Sequence, residues 1–204
     1  AVSSIDRVPE RSIGAFAGWP TANDWFVGHG SGIMHCCTGN ATRALYYIWE
    51  HILTYRQGRL DVNLLLNRAS EWADVSSYIP YTGQVDVAVK RGCDVRIRIP
   101  EWTTPADVAC TINSTSHPLD WAGRYAIVGQ VAAGDTITLT FPIAERTVEV
   151  DIEKQHYVLT LRGNDVVHID PPGRFCPLYQ REHYRTSEVR WRKMARWVPD
   201  QHIY

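Results

Sequence analysis

The stretch Gln84-Val85-Asp86-Val87-Ala88-Val89-Lys90-Arg91-Gly92-Cys93-Asp94-Val95-Arg96-Ile97-Arg98-Ile99-Pro100 decides the fold class. Val85, Val87 and Val89 fall on every second position, and after the turn signal Arg91-Gly92 so do Val95, Ile97 and Ile99, with Arg96 and Arg98 between them. A side-chain period of two, apolar on one side and polar on the other, is that of a half-buried strand. Outward from this stretch the same period recurs at Val62, Leu64 and Leu66, and at Ile137, Leu139 and Phe141 among threonines. Further strands are predicted at Tyr157 to Leu161 and Asp165 to Ile169. Pro80-Tyr81-Thr82-Gly83, Gly134-Asp135 and Pro142 supply turns between them, at a spacing that suits an antiparallel β-sandwich. From Pro171 onward, Trp191 and Trp197 interleave with Arg190, Arg192, Lys193 and Arg196, which predicts a closing strand with a solvated charged face.

Towards the N-terminus the pattern changes. Residues 1–35 carry scattered Gly and Pro without a sustained period, as loops do, and a loop region that long must lean on the rest of the chain or on another polypeptide. From about Asn40 to Tyr55, Ala41, Ala44, Leu45, Ile48, Ile52 and Tyr55 recur at spacings of three and four, predicting a helix with one apolar face. Asn40 is its expected N-cap and Gln57-Gly58 its stop. The organisation expected is a loop-and-helix piece over residues 1–57 followed by an all-β module over residues 58–204.

With 45% hydrophobic and 21% charged residues among 204, the chain has globular composition and needs no disulfide staples to form a core. A formal net charge of -1 leaves no excess positive field for nucleic acid or anionic lipid. No apolar run reaches the roughly 20 residues of a membrane helix. Cys36, Cys37, Cys93, Cys110 and Cys176 form an odd, irregular set, unlike a secreted disulfide framework, so a reducing compartment, the cytoplasm, is expected. Eight Trp and ten Tyr against four Phe favour rings with a polar handle, which serve sugar-binding surfaces and domain interfaces alike.

Reactive side chains concentrate in Gly28-His29-Gly30-Ser31-Gly32-Ile33-Met34-His35-Cys36-Cys37-Thr38-Gly39-Asn40. The glycines do not have dinucleotide-fingerprint spacing, Ser31 lacks the glycines of a nucleophile elbow, and no Lys follows to make a phosphate loop. Adjacent Cα atoms lie about 3.8 Å apart, closer than disulfides prefer, so Cys36 and Cys37 are expected as free thiols. Just ahead of a helix they gain thiolate character from its unpaired N–H groups. Such a pair can bind zinc, or one sulfur can attack a substrate carbon, or both can pack inertly; His29 and His35 are the nearest further ligand candidates. Cys93, Cys110 and Cys176 lie among strand patterns and read as packing residues.

Gly32-Ile33-Met34-His35-Cys36-Cys37-Thr38-Gly39-Asn40-Ala41-Thr42-Arg43-Ala44-Leu45-Tyr46-Tyr47-Ile48-Trp49, with Val62-Asn63-Leu64-Leu65-Leu66-Asn67-Arg68-Ala69, resembles the later part of glycoside hydrolase family 127, the β-L-arabinofuranosidases and their relatives. The resemblance continues through Tyr81-Thr82-Gly83-Gln84-Val85, Arg96-Ile97-Arg98-Ile99-Pro100-Glu101-Trp102 and the strand after Gly134-Asp135. It implies a piece from the end of an (α/α)6 barrel over residues 1–57, followed by a β-sandwich. It also implies retaining hydrolysis of terminal β-L-arabinofuranosyl groups, with Cys36 as nucleophile and Cys36 and Cys37 as ligands of Zn2+. The family's other zinc ligands, a glutamate and a cysteine, and its acid/base glutamate lie well upstream. Here only 35 residues precede Cys36, with Glu10 their one glutamate and no cysteine among them. The expectation is therefore the C-terminal part of such an enzyme, inactive alone, whose site a partner polypeptide completes and whose substrate is an arabinofuranosyl-containing carbohydrate.

Two other readings stay open. One is a non-catalytic β-sandwich module for carbohydrate binding or oligomer contacts. The other is a cysteine hydrolase that pairs Cys36 with a histidine, which the sequence does not single out.

Overall fold

The computed structural model describes residues 35–152, 154–172 and 182–188. The described residues are mainly β, with one α-helix ahead of the strands. Its described residues fall into two compact units. One spans Trp49–Ala144 with residues 186–188, and the other joins residues up to Ile48 to Glu145–Arg185.

The first unit is a sandwich of two sheets. One has the order β1 (Leu53–Arg56), β2 (Arg59–Val62), β6 (Cys93–Arg98), β10 (Tyr125–Val131), β9 (Asp120–Ala122). The other has the order β3 (Arg68–Ala69), β4 (Ala73–Ser77), β5 (Gln84–Val89), β11 (Thr136–Thr140), β7 (Ala109–Ile112), β8 (Thr115–Ser116). Every pairing is antiparallel except that of β2 with β6. That exception arises because the chain leaves the first sheet after β2, builds three strands of the second, and re-enters beside β2. The turn at Arg91-Gly92 is thus a crossing between sheets, which strand periodicity alone does not distinguish from a hairpin.

The alternation read in the sequence is the packing. Val85, Val87, Val95, Ile97, Ile137 and Leu139 are fully buried, with Val87 opposite Ile137 and Val85 opposite Leu139 in the ladder. Leu60 and Val62 from the first sheet and Ala73 and Val75 from the second close the same core. Each fully buried aliphatic side chain of this kind contributes about 1.5–3 kcal/mol of transfer free energy. At Gly83 the strand β5 and the end of β11 meet so closely that a Cβ would lie 1.8 Å from the Phe141 carbonyl oxygen; the backbone hydrogen bond from Phe141 N to Gly83 O, 2.8 Å, fixes that approach.

The second unit contains a three-stranded antiparallel meander, β12 (Glu145–Ile152), β13 (Gln155–Arg162) and β14 (Asp165–Asp170), with a 3-10 turn at Glu182–Arg185. The last two strands contain the two segments predicted here, and Tyr157, Val167 and Ile169 are buried. Arg185 ties the 3-10 turn to β12 through Glu145, 2.9 Å from Nε to Oε1. The predicted closing strand around Trp191 and Trp197 lies outside the described residues.

The helix departs from its expected bounds. It runs as α1 from His35 to Glu50 instead of Asn40 to Tyr55. At its end, Gln57 (φ 52°) and Gly58 (φ 81°) both take left-handed backbone and close a two-residue hairpin between β1 and β2. They are a strand turn and not a helix stop, and Tyr55 belongs to β1, where its ring stacks on Trp72 at 5.3 Å. At its start, Asn40 is the sixth helical residue and not the cap; its Oδ1 accepts a hydrogen bond from Arg43 Nη2, 2.9 Å, one turn on. The predicted alternation Val62, Leu64, Leu66 also stops early. β2 ends at Val62, and the N–H groups of Asn63 and Leu64 both turn back to the Ile52 carbonyl, leaving Leu66 47% exposed.

Candidate functional site

The backbone places Cys36 and Cys37 as the second and third residues of α1, inside its first turn and not ahead of it as the sequence implied. The N–H groups of a first turn lack partners within their helix, and the aligned peptide dipoles leave partial positive charge there. Partial positive charge at a helix start lowers the pKa of a thiol in general, the direction that a nucleophile or a metal ligand requires. His35 is the first residue of the helix; His29 and Cys176 lie outside the described residues.

Two of the other cysteines are of the opposite kind. Cys93 and Cys110 are free and buried in the sandwich. Burial pushes the Cys110 thiol up to about 11. Cys93 is raised by burial and secondarily by the Asp94 carboxylate. A thiol held protonated at neutral pH is neither a nucleophile nor a ready metal ligand, so both serve packing.

Zinc needs four donors, or three and an open position. The Cys36-Cys37 pair fits zinc in donor kind and falls short in number. Among the described residues no three of His, Cys, Asp and Glu gather to hold a metal ion. Nor, among those residues, is any helix long and apolar enough to cross a membrane.

The segment that follows α1 is held by side-chain contacts within the sandwich unit. Asn63 Nδ2 donates to the His51 carbonyl at 3.0 Å and to Thr54 Oγ1 at 3.2 Å, and Asn63 Oδ1 accepts from the Tyr125 hydroxyl at 2.8 Å. The Arg68 guanidinium lies over the Trp49 ring, 3.3 Å from its centroid. The helix itself carries Leu45, Tyr46, Tyr47, Ile48 and Trp49 at 44–56% exposure. Leu45 and Ile48 belong to the row that the sequence marks as its apolar face. Other rings of the amphipathic set are structural: Tyr55 and Trp72 stack beside the core, and Trp102 meets Phe141 edge-on at 5.7 Å.

On the outer face of the first sheet, Asp61 accepts both donors of Arg96, at 2.7 and 2.8 Å, and lies 3.4 Å from Arg59 Nε. Next to these, Arg56, Gln57 and Arg59 line an open hollow of about 580 Å³ at the β1–β2 turn. Sequence reasoning missed this feature; its signal was two arginines flanking a Gln-Gly turn.

The described architecture has counterparts among solved structures. A structure named only as a glycoside hydrolase matches 74% of this chain at 21% identity and a TM-score of 0.55, over 28% of its own length. A GH127 β-L-arabinofuranosidase from Geobacillus stearothermophilus T6 matches 72% at 20% identity and a TM-score of 0.50, over 25% of its length. A further GH127 β-arabinofuranosidase matches 70% at 18% identity and a TM-score of 0.54, over 27% of its length. At these identities the likeness is one of fold, and the chain spans about a quarter of the length of the structures it matches. No protein-family model and no curated protein matches the chain.

Proposed function

We propose that this chain is the sandwich-bearing part of a retaining glycoside hydrolase that acts on terminal β-L-arabinofuranosyl groups. Its N-terminal part, expected from the sequence as residues 1–57, would complete a helical-barrel catalytic domain, and the sandwich that follows closes its core within residues 49–144. The observation that carries this reading is the shared fold with two β-arabinofuranosidases over 70–72% of the chain, in a chain that has a Cys-Cys pair in the first turn of α1.

The chemistry begins at Cys36. Its thiolate attacks the anomeric carbon of the sugar; the sulfur–carbon bond forms as the glycosidic carbon–oxygen bond breaks, and the leaving oxygen takes a proton from a general acid. Water then attacks the same carbon from the vacated side, gives up a proton to the conjugate base of that acid, and returns sulfur as thiolate, so the anomeric configuration is retained. Helix α1 favours the thiolate at the start and end of this cycle. Cys36 and Cys37 would hold a zinc ion, which keeps coordinated sulfur deprotonated at neutral pH. The remaining ligands and the acid would come from a polypeptide that supplies the rest of the barrel, so this chain alone does not cleave glycosides. Free thiols of this kind call for a reducing compartment, for which the cytoplasm is the proposal.

The test is zinc content by elemental analysis on the purified chain and on its Cys36→Ser and Cys37→Ser variants, beside hydrolysis of an aryl β-L-arabinofuranoside under reducing conditions. For the chain by itself, neither zinc nor turnover is the expected result; in the complete enzyme, assembled with the polypeptide that supplies the rest of the barrel, the parent is expected to retain zinc and both variants to lose it, with circular dichroism unchanged. Equal zinc content in that complete form and in its two variants overturns the metal assignment. Turnover by the chain alone overturns the need for a partner, and turnover that survives Cys36→Ser overturns the nucleophile.

A second reading, a carbohydrate-binding or oligomer-contact module, is favoured by one observation: the sandwich closes its core within residues 49–144. Sugar affinity retained after both cysteines are replaced and zinc is removed would select it.

A further inference from the structure

We infer that the tip of the β1–β2 hairpin is a binding site for a small oxyanion, held by the guanidinium groups of Arg56 and Arg59 and the side-chain amide of Gln57. The inference is independent of the glycosidase reading, since none of its residues belongs to the proposed catalytic turn.

Arg56 and Arg59 face each other directly across the ladder and share one face of the sheet. Like charges so placed repel, and an isolated hairpin would lose stability by the pairing. The carboxylates nearby do not resolve it. Asp61 gives both its oxygens to Arg96 and meets Arg59 only at Nε, 3.4 Å away. Asp94 is the register partner of Arg59 on β6 and makes no ion pair with it. Among the described residues the Arg56 side chain has neither a hydrogen bond nor an ion pair, and the terminal nitrogens of Arg59 have none either.

A second observation points the same way. Gln57 occupies left-handed backbone, φ 52°, at a turn position where Asn or Gly is strongly preferred. Gln57 lines the same hollow as the two arginines. Strain kept at a ligand-facing position is a recurring property of binding sites. Two guanidinium groups and an amide on residues that line one hollow offer paired donors to an anion with two or three oxygens in one plane or pyramid. The fitting ligands are the carboxylate of a sugar acid or a phosphate group.

The experiment is a 1H–15N NMR titration of the chain, following backbone amides and arginine Nε–Hε signals. Inorganic phosphate and sodium glucuronate are added separately, against sodium chloride at matched ionic strength. Expected are saturable shifts at Gln57, Gly58 and both arginine Hε signals with phosphate, with glucuronate, or with both, the saturating anion identifying the source. Arg56→Gln and Arg59→Gln each weaken binding by about tenfold, the loss of one charge-assisted pair. Gln57→Asn relieves the turn, so it raises the thermal midpoint while weakening binding. Shifts that track chloride for both anions overturn the site. So does saturable binding that is unchanged in both arginine variants, which would put the anion elsewhere; their exposed positions keep the fold intact in either case.

Discussion

Leu139 in the sandwich and Leu45 in α1 are the same side chain on equally regular apolar patterns, yet the first is 0% and the second 56% exposed. The difference is in what each element brings with it. A strand of the sandwich finds its cover in the facing sheet, a few dozen residues away in the same chain, and the two apolar sides close on one another. A helix with a single apolar face needs a layer of other elements. A regular apolar pattern therefore states which side must be covered and not what covers it. In the proposed reading the cover for Leu45 and Ile48 is the remainder of a helical barrel, in keeping with structural neighbours about four times as long as the part they share with this chain.

The comparison breaks if the two leucines respond alike to truncation. Leu139→Ala removes a fully buried side chain between Val85 and Cys110 on the neighbouring strands and is expected to cost about 3 kcal/mol, read as a lower urea midpoint. Leu45→Ala is expected to change stability by less than about 0.5 kcal/mol in this chain. A loss at Leu45 comparable to that at Leu139 would mean that α1 already has its cover.

A smaller effect sharpens the same contrast between interior and surface of the sandwich. Asp61 and Arg96 form a bidentate pair on its outer face, with the Arg96 guanidinium 5.0 Å from the Tyr125 ring; the hydrogen bond to Asp61, chiefly, raises the Arg96 pKa. Both side chains are partly exposed, so solvent screens the interaction. A double-mutant cycle with Asp61→Ala and Arg96→Ala is expected to give a coupling of about 1 kcal/mol, well below the Leu139 effect. A coupling above that effect would make the polar face, not the apolar core, the main support of the first sheet.

How much was legible in the sequence follows from the range of the interaction that decided each feature. Alternation at Val85–Val89, Val95–Ile99 and Ile137–Phe141 is local, and it named the buried side chains correctly. The identity of the partner strand is not local: nothing between Val89 and Val95 reveals that the chain changes sheets there. Gln57-Gly58 is compatible with a helix stop and with a hairpin turn, and the choice was made by the burial of Ile52 and Leu53 in the sandwich core. For the candidate site, the Cys-Cys pair was visible as chemistry, and the helix start that gives it a dipole was misplaced by about one turn because Asn40 is so good a cap in isolation. The arginine hollow was not seen, since flanking arginines become a site only when a tight turn brings them opposite each other.

The thiols give the finest form of the comparison. An unfolded thiol ionises near its ordinary value of 9.0, while burial holds the Cys110 proton to about 11 and raises Cys93 in the same direction. Between those pH values the folded chain binds protons that the unfolded chain has released. The contribution of these groups to stability is therefore complete below about pH 9 and is lost progressively as pH rises towards 11. Urea midpoints should fall over that interval in the parent, and the fall should be smaller in Cys110→Ala, although that variant starts from a lower midpoint. Alkylation by iodoacetamide at pH 7.5 reads the same physics kinetically. Cys93 and Cys110, being buried and protonated, react only as fast as the sandwich opens, whereas Cys36, at a helix N-terminus, is expected to react without unfolding. Equal rates at Cys36 and Cys110 would remove the thiolate character on which the proposed nucleophile depends.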